Sequence, residues 1–107
     1  MSLDLTLTRI QRTEVFDANI THNLTEMADA VGIYKSIWRP EECGIKTASD
    51  MIPYLTDGIT ELKREPEKYR ELEPDNKWGT YERFVPWLER YLAACEEYPD
   101  AKIHACR

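Results

Sequence analysis

An unusual polar cluster, Asn-Ile-Thr-His-Asn, occupies residues 19–23 of this 107-residue chain. His22 is one of only two histidines, and imidazole is the side chain that titrates most readily near neutral pH. The cluster lies where an extended pattern gives way to a helical one. Free N–H groups at a helix start could hold an anion there, with His22 as a hydrogen-bonding or acid–base group. The structural alternative is capping by Thr21, or by Asn23 in a capping box with Glu26.

Bulky amphipathic side chains occur at two further predicted helix ends, Trp38-Arg39 and Trp78-Gly79-Thr80-Tyr81. Tryptophan, tyrosine and arginine are enriched in binding surfaces. The same residue types also fill gaps between helices, so packing is the alternative role. The predicted ligand-binding candidates are therefore Asn19, Thr21, His22, Asn23, Trp38, Arg39, Trp78 and Tyr81.

No sequence motif indicates an enzyme, a cofactor or a metal. Glycine-rich phosphate loops, H-E-x-x-H, G-x-S-x-G and calcium loops are all absent. Cys43, Cys95 and Cys106 are an odd number without a C-x-x-C pair, which argues against a disulfide framework and a zinc ribbon. His104 and Cys106 lack the spacing of a common zinc site. We therefore predict no catalytic residue, no cofactor and no metal.

The net charge of −6 comes from 20 acidic and 14 basic residues. A negative field repels phosphate backbones, which disfavours nucleic acid as a partner. Apolar runs are far shorter than the roughly 18 to 20 residues that cross a bilayer, and the first residues do not resemble a secretory signal. We expect a cytoplasmic protein without membrane contact.

The longest apolar stripe lies between residues 80 and 97, where Phe84, Leu88 and Cys95 recur at helical spacing. A second helix is predicted from about 47 to 64. Both segments contain a proline six residues after a threonine, Pro53 after Thr47 and Pro86 after Thr80. Either these two helices form a packed pair, or the likeness is chance.

Alternation of Leu3, Leu5 and Leu7 with polar residues predicts a strand at about 3–10. A weaker extended pattern covers 13–20 after a turn at 11–12, and a final strand covers about 101–106. Short helical patterns occupy the remaining segments. We predict one α+β domain over residues 1–107, mostly helical. Three to four helices would pack on a small antiparallel sheet formed by the N- and C-terminal strands.

Several short motifs of this chain resemble a family of small uncharacterised proteins of bacterial and phage genomes. They are Asn19-Ile-Thr-His-Asn-Leu24 with Met27-Ala28, Gly32-Ile-Tyr34, Trp38-Arg-Pro-Glu-Glu42, and Trp78-Gly-x-Tyr81 with Phe84-Val85 and Tyr91-Leu92. The resemblance covers about residues 16 to 107 and brings no assigned activity. It implies a cytoplasmic accessory or phage-encoded protein.

Two functional hypotheses follow. The first is a non-enzymatic interaction module, phage-derived, that presents the Asn19–Asn23 junction and the aromatic residues to a protein partner or a small anionic ligand. The second is a small enzyme with His22 as its acid–base group. Convergence of Asn19, His22 and Arg39 in one pocket would favour the ligand-binding or enzyme hypothesis. A homodimer is also predicted, through the exposed aromatic residues or through an open edge of the short sheet.

Overall fold

A computed structural model describes residues 2–9, 13–74, 76 and 78–107. Three strands and five α-helices follow one another in the described part of the chain. They are β1 (Ser2–Arg9), β2 (Thr13–Thr21), α1 (Thr25–Ala30), α2 (Tyr34–Trp38), α3 (Ala48–Arg64), α4 (Pro66–Arg70), α5 (Tyr81–Glu97) and β3 (Lys102–Cys106). Two 3-10 turns, His22–Leu24 and Pro40–Cys43, precede α1 and follow α2.

The sheet is antiparallel, with β1 between β2 and β3. Leu3, Leu5 and Leu7 are buried on one face, as their alternation with polar residues predicts. Leu5 pairs with Ala18 of β2 and with Ala105 of β3, so the same face is apolar on all three strands. The predicted sheet of N- and C-terminal strands is confirmed. The turn predicted at 11–12 lies outside the described residues.

The two long helices, α3 and α5, each have 17 residues and pack against each other. Thr47 and Thr80 are their N-caps. Pro53 and Pro86 lie inside the helices on exposed positions. The look-alike segments are thus a packed pair of helices. Their buried faces, with Leu55 and Leu88 inaccessible to solvent, belong to the core that the sheet completes.

The prediction of three to four helices undercounts the short ones. Pro40, expected in a loop, starts a 3-10 turn, and Pro66 starts α4, because proline fits the first turn of a helix. Gly32 ends the α1 segment at a φ of +78°, a backbone conformation that favours glycine. No helix among the described residues is long and apolar enough to cross a membrane.

Candidate functional site

A pocket of about 230 Å³ lies where β2 ends beside the start of α5. It brings together three of the predicted residues, Asn19 and Thr21 from the end of β2 and Trp78 from the loop before α5. The lining residues are Asn19, Ile20, Thr21, Leu24, Trp78, Gly79 and Arg83. Polar, aromatic and cationic side chains therefore meet in one concave place.

Gly79 sets the position of the loop that carries Trp78. A Cβ atom at Gly79 would lie 2.8 Å from Leu24 Cγ and 3.2 Å from Thr21 Cγ2, so only glycine allows this approach. The neighbouring Trp78 side chain remains 73% exposed. Because Gly79 lies close to Thr21 and Leu24, the neighbouring Trp78 is placed in the lining of the pocket.

Arg83 supplies the positive charge of the pocket from the first turn of α5. Five of the seven arginines in the described part of the chain form an ion pair with a carboxylate. Within those same residues Arg83 and Arg90 form none, and both are exposed. A cation in the first turn opposes the helix dipole, so Arg83 does not stabilise α5 through that dipole.

The first N–H groups of α5 already have acceptors. Tyr81 N–H donates to Glu73 Oε1 at 2.9 Å, and Arg83 N–H donates to the Thr80 hydroxyl at 3.3 Å. The Asn19 side-chain amide is engaged as well, since its Nδ2 donates to Ser2 Oγ at 2.9 Å and to Asp4 Oδ1 at 2.5 Å. An anion in the pocket would therefore depend chiefly on the Arg83 guanidinium.

The remaining residues of the 19–23 cluster have structural contacts. Thr21 is the cap: its hydroxyl accepts the Asn23 N–H at 3.2 Å and the Asn23 side-chain amide at 2.9 Å. The capping box expected between Asn23 and Glu26 is not the arrangement adopted. His22 Nε2 is buried and has no hydrogen-bond partner among the described residues, and its ring lies 6.5 Å from that of Trp38.

Trp38, Arg39 and Tyr81 lie outside the pocket lining. Trp38 is buried and stacks on Tyr34, with ring centroids 5.6 Å apart. Arg39 Nη1 donates to a carboxylate oxygen of Glu42 at 2.9 Å, and hydrogen bonds to Tyr34 and Glu42 raise the pKa of Arg39 above its usual value. Tyr81 is buried. The structure therefore does not bring Asn19, His22 and Arg39 together in this pocket.

Sequence reasoning missed Gly79 and Arg83. A signal existed for Arg83, since the look-alike helices place Asp50 three residues after Thr47 and Arg83 three residues after Thr80. An acid at that position completes a capping box, whereas an arginine cannot. The sequence therefore shows a difference between the two similar segments: the third residue after the threonine is an acid in one and a cation in the other.

A larger concavity of about 550 Å³ lies between α1 and α2. It is lined by Thr25, Glu26, Asp29, Gly32, Tyr34 and Lys35. Two carboxylates face one lysine there, so the local charge does not select an anion. None of the eight predicted binding residues lines it, which leaves the smaller pocket as the stronger candidate.

Comparison with known proteins finds no matching family model, curated protein or solved structure. Among the described residues, no group of three or more His, Cys, Asp or Glu side chains is placed to hold a metal ion.

Proposed function

We propose that this protein is a binding module that recognises an anionic group through the pocket formed by Asn19, Thr21, Trp78 and Arg83. The supporting observation is the pairing of an exposed tryptophan with an arginine that no described carboxylate neutralises. Arginine and tryptophan are the residues that most often dominate binding energy. In a chain of net charge −6, an anion at this place needs such a local cation.

The ligand is a carboxylate or a similar anion next to an apolar or aromatic group. The guanidinium provides charged hydrogen bonds, the Thr21 hydroxyl can donate a neutral one, and the indole provides a flat apolar surface. A small molecule and an acidic side chain of a partner protein share this chemistry. The proposal does not include catalysis, because His22 turns its Nε2 toward the interior near Trp38.

Backbone amide NMR titration tests the proposal with benzoate, benzamide and an N-acetyl aspartate amide as probes. Benzoate should shift the amides of residues 19–21 and 79–83, and the neutral benzamide should not. Shifts with the aspartate derivative would favour a protein side chain as the natural ligand, and shifts with benzoate alone would favour a small molecule.

Arg83→Gln and Arg90→Gln form the matched pair for this experiment, since both arginines are exposed on α5 and unpaired within the described residues. Loss of a charged hydrogen bond predicts at least about tenfold weaker benzoate binding for Arg83→Gln. Arg90→Gln should bind as the unmodified protein does. Equal weakening by both changes, or equal binding of benzoate and benzamide, would contradict an anion site.

A further inference from the structure

The chain covers one edge of its sheet and leaves the other open. Beside β3, Thr47 forms an antiparallel bridge with Lys102, and the Ile103 N–H donates to the Lys46 carbonyl at 3.2 Å. Strand β2 forms the opposite edge. Within the described residues, no backbone hydrogen bond joins β2 to anything except β1. The outer side of the nine-residue strand β2, whose ladder with β1 shifts register between Leu7 and Thr8, is therefore available for pairing.

The two faces of β2 differ in chemistry. Glu14 and Asp17 are exposed on the outward face, whereas Phe16 and Ala18 are half-buried on the face that meets the helices. A depression of about 250 Å³ on the outward face is lined in part by Asp4 and Asp17, and Asp4 Oδ1 accepts a hydrogen bond from Asn19 Nδ2 at 2.5 Å. Within the described residues neither carboxylate forms an ion pair. A strand added at this edge would thus meet acids on one face and partly exposed apolar groups on the other.

We propose that β2 pairs with an extended segment of another protein in which basic and apolar residues alternate. Main-chain hydrogen bonds to the open edge would supply affinity, and the alternating side chains would supply selectivity. Lysine or arginine would reach Asp17 and the acidic depression, while the apolar residues cover Phe16 and Ala18. This surface is distinct from the Arg83 pocket, so the inference goes beyond the proposed function.

Charge selects against a second copy of this chain as the occupant. Its own β2 would bring Glu14 and Asp17 onto a face that already carries the same carboxylates, and like charges across a strand pair are destabilising. Pairing through β2 is therefore expected to be with a different chain. A homodimer, if it forms, would use another surface.

Hydrogen exchange of the β2 amides tests the inference, with a short peptide of alternating valine and lysine as the probe. The peptide should slow exchange in β2 and leave β3 unchanged. A block peptide of the same composition, with lysines and valines separated, should have no such effect. Asp17→Lys should weaken binding about fivefold, from the loss of one favourable cross-strand pair.

Asp57→Lys is the control, because it changes net charge equally at an exposed position of α3. The Asp57→Lys variant should bind the alternating peptide as the unmodified protein does. The Arg83→Gln variant should do the same, which would show that the β2 edge and the Arg83 pocket are independent sites. Unchanged β2 exchange at saturating peptide, or equal protection by the block peptide, would overturn the inference. Protection of β2 that rises with protein concentration alone would do so as well, by identifying a second copy as the occupant.

Discussion

The two 17-residue helices begin with the same capping residue but use the next turn differently. At the start of α3, Asp50 Oδ2 accepts the Thr47 N–H at 3.2 Å in a capping box, and the Ala48 N–H donates to Ala101 O at 2.8 Å. At the start of α5 the corresponding residue is Arg83, which lines a pocket. The start of α3 has a capping box that stabilises the helix. The start of α5 lacks the acidic residue of that box and has an arginine of the pocket in its place.

The helices differ again two residues past their midpoints, at the equivalent positions 58 and 91. Gly58 lets α2 approach α3, since a Cβ there would lie 2.8 Å from two atoms of Ile33. Tyr91 instead fills the space between α5 and the sheet and stacks on Phe16, with ring centroids 6.1 Å apart. At equivalent positions, α3 thus packs against the start of α2, and α5 packs against β2.

The largest effect expected is at Tyr91, which is inaccessible to solvent. Tyr91→Ala should lower the free energy of unfolding by about 3 to 5 kcal/mol, because a large side chain is removed from the core. Tyr91→Phe should be neutral or stabilising, since the hydroxyl has no partner among the described residues. Urea unfolding measures both. A large loss in the Phe variant would show that the hydroxyl has a partner, such as a buried water.

Gly58→Ala tests the corresponding place on α3. The added methyl should lower the free energy of unfolding by about 1 to 2 kcal/mol, because overpacking against Ile33 outweighs the better helix propensity of alanine. Ile33→Ala in the same background removes the clash. A double-mutant cycle should therefore show favourable coupling between the two changes, and additive losses would mean that Gly58 is not chosen for this contact.

Exchange of the residues at the third position of α3 and α5 tests whether the two helix starts have different roles. Arg83→Glu should raise the free energy of unfolding by about 0.5 to 1 kcal/mol, because it creates a capping box with Thr80 and places an acid at the positive end of the helix dipole. The same change should abolish binding of benzoate. Asp50→Arg should lower stability without affecting the pocket. If Arg83→Glu destabilises the protein, Arg83 has a structural role that the comparison misses.

The smallest effect expected is a change in pH dependence. Hydrogen bonds from the Lys46 and Thr47 N–H groups lower the pKa of Asp50 in the folded state. Its contribution to stability is therefore present above the unfolded pKa of about 3.9 and is lost as pH falls through the lower folded value. Asp50→Asn should flatten the fall of unfolding free energy below about pH 4. An unchanged slope would assign the acid sensitivity to other carboxylates, such as Glu61, whose pKa hydrogen bonds from Arg64 and Tyr69 lower to about 2.

Local patterns predicted the fold because they reflect contacts that each segment makes with one core. Only one register buries Leu3, Leu5 and Leu7 on the same face of a strand. A threonine before an apolar stripe indicates a helix start through local hydrogen bonds alone. Thr21 and Asn23 could not be distinguished in this way, since both offer an acceptor at the right spacing. The 3-10 turn at Pro40 is shorter than the length at which periodicity is informative, whereas the short helix at Pro66 follows from the fit of proline to a first helical turn.

The pocket depended on contacts between distant segments, which residue types do not reveal. Trp38 and Trp78 look equivalent in sequence, yet Trp38 is buried against Tyr34 and Trp78 is exposed in the loop before α5. The chemistry of imidazole made His22 a candidate, but its ring lies against Trp38 of α2 and its Nε2 is buried. Arg83 differs from most other arginines in having no ion-pair partner within the described residues, and ion pairs between distant segments cannot be read from a sequence.

The unequal burial of the three tryptophans gives this protein an intrinsic optical reporter. Trp38 and Trp87 are 1% and 4% exposed, whereas Trp78 is 73% exposed. A collisional quencher in solution will reach the emission of Trp78 and spare the other two. Any molecule that settles against that indole shields it, so occupancy of the cleft can be followed by fluorescence in the unlabelled protein.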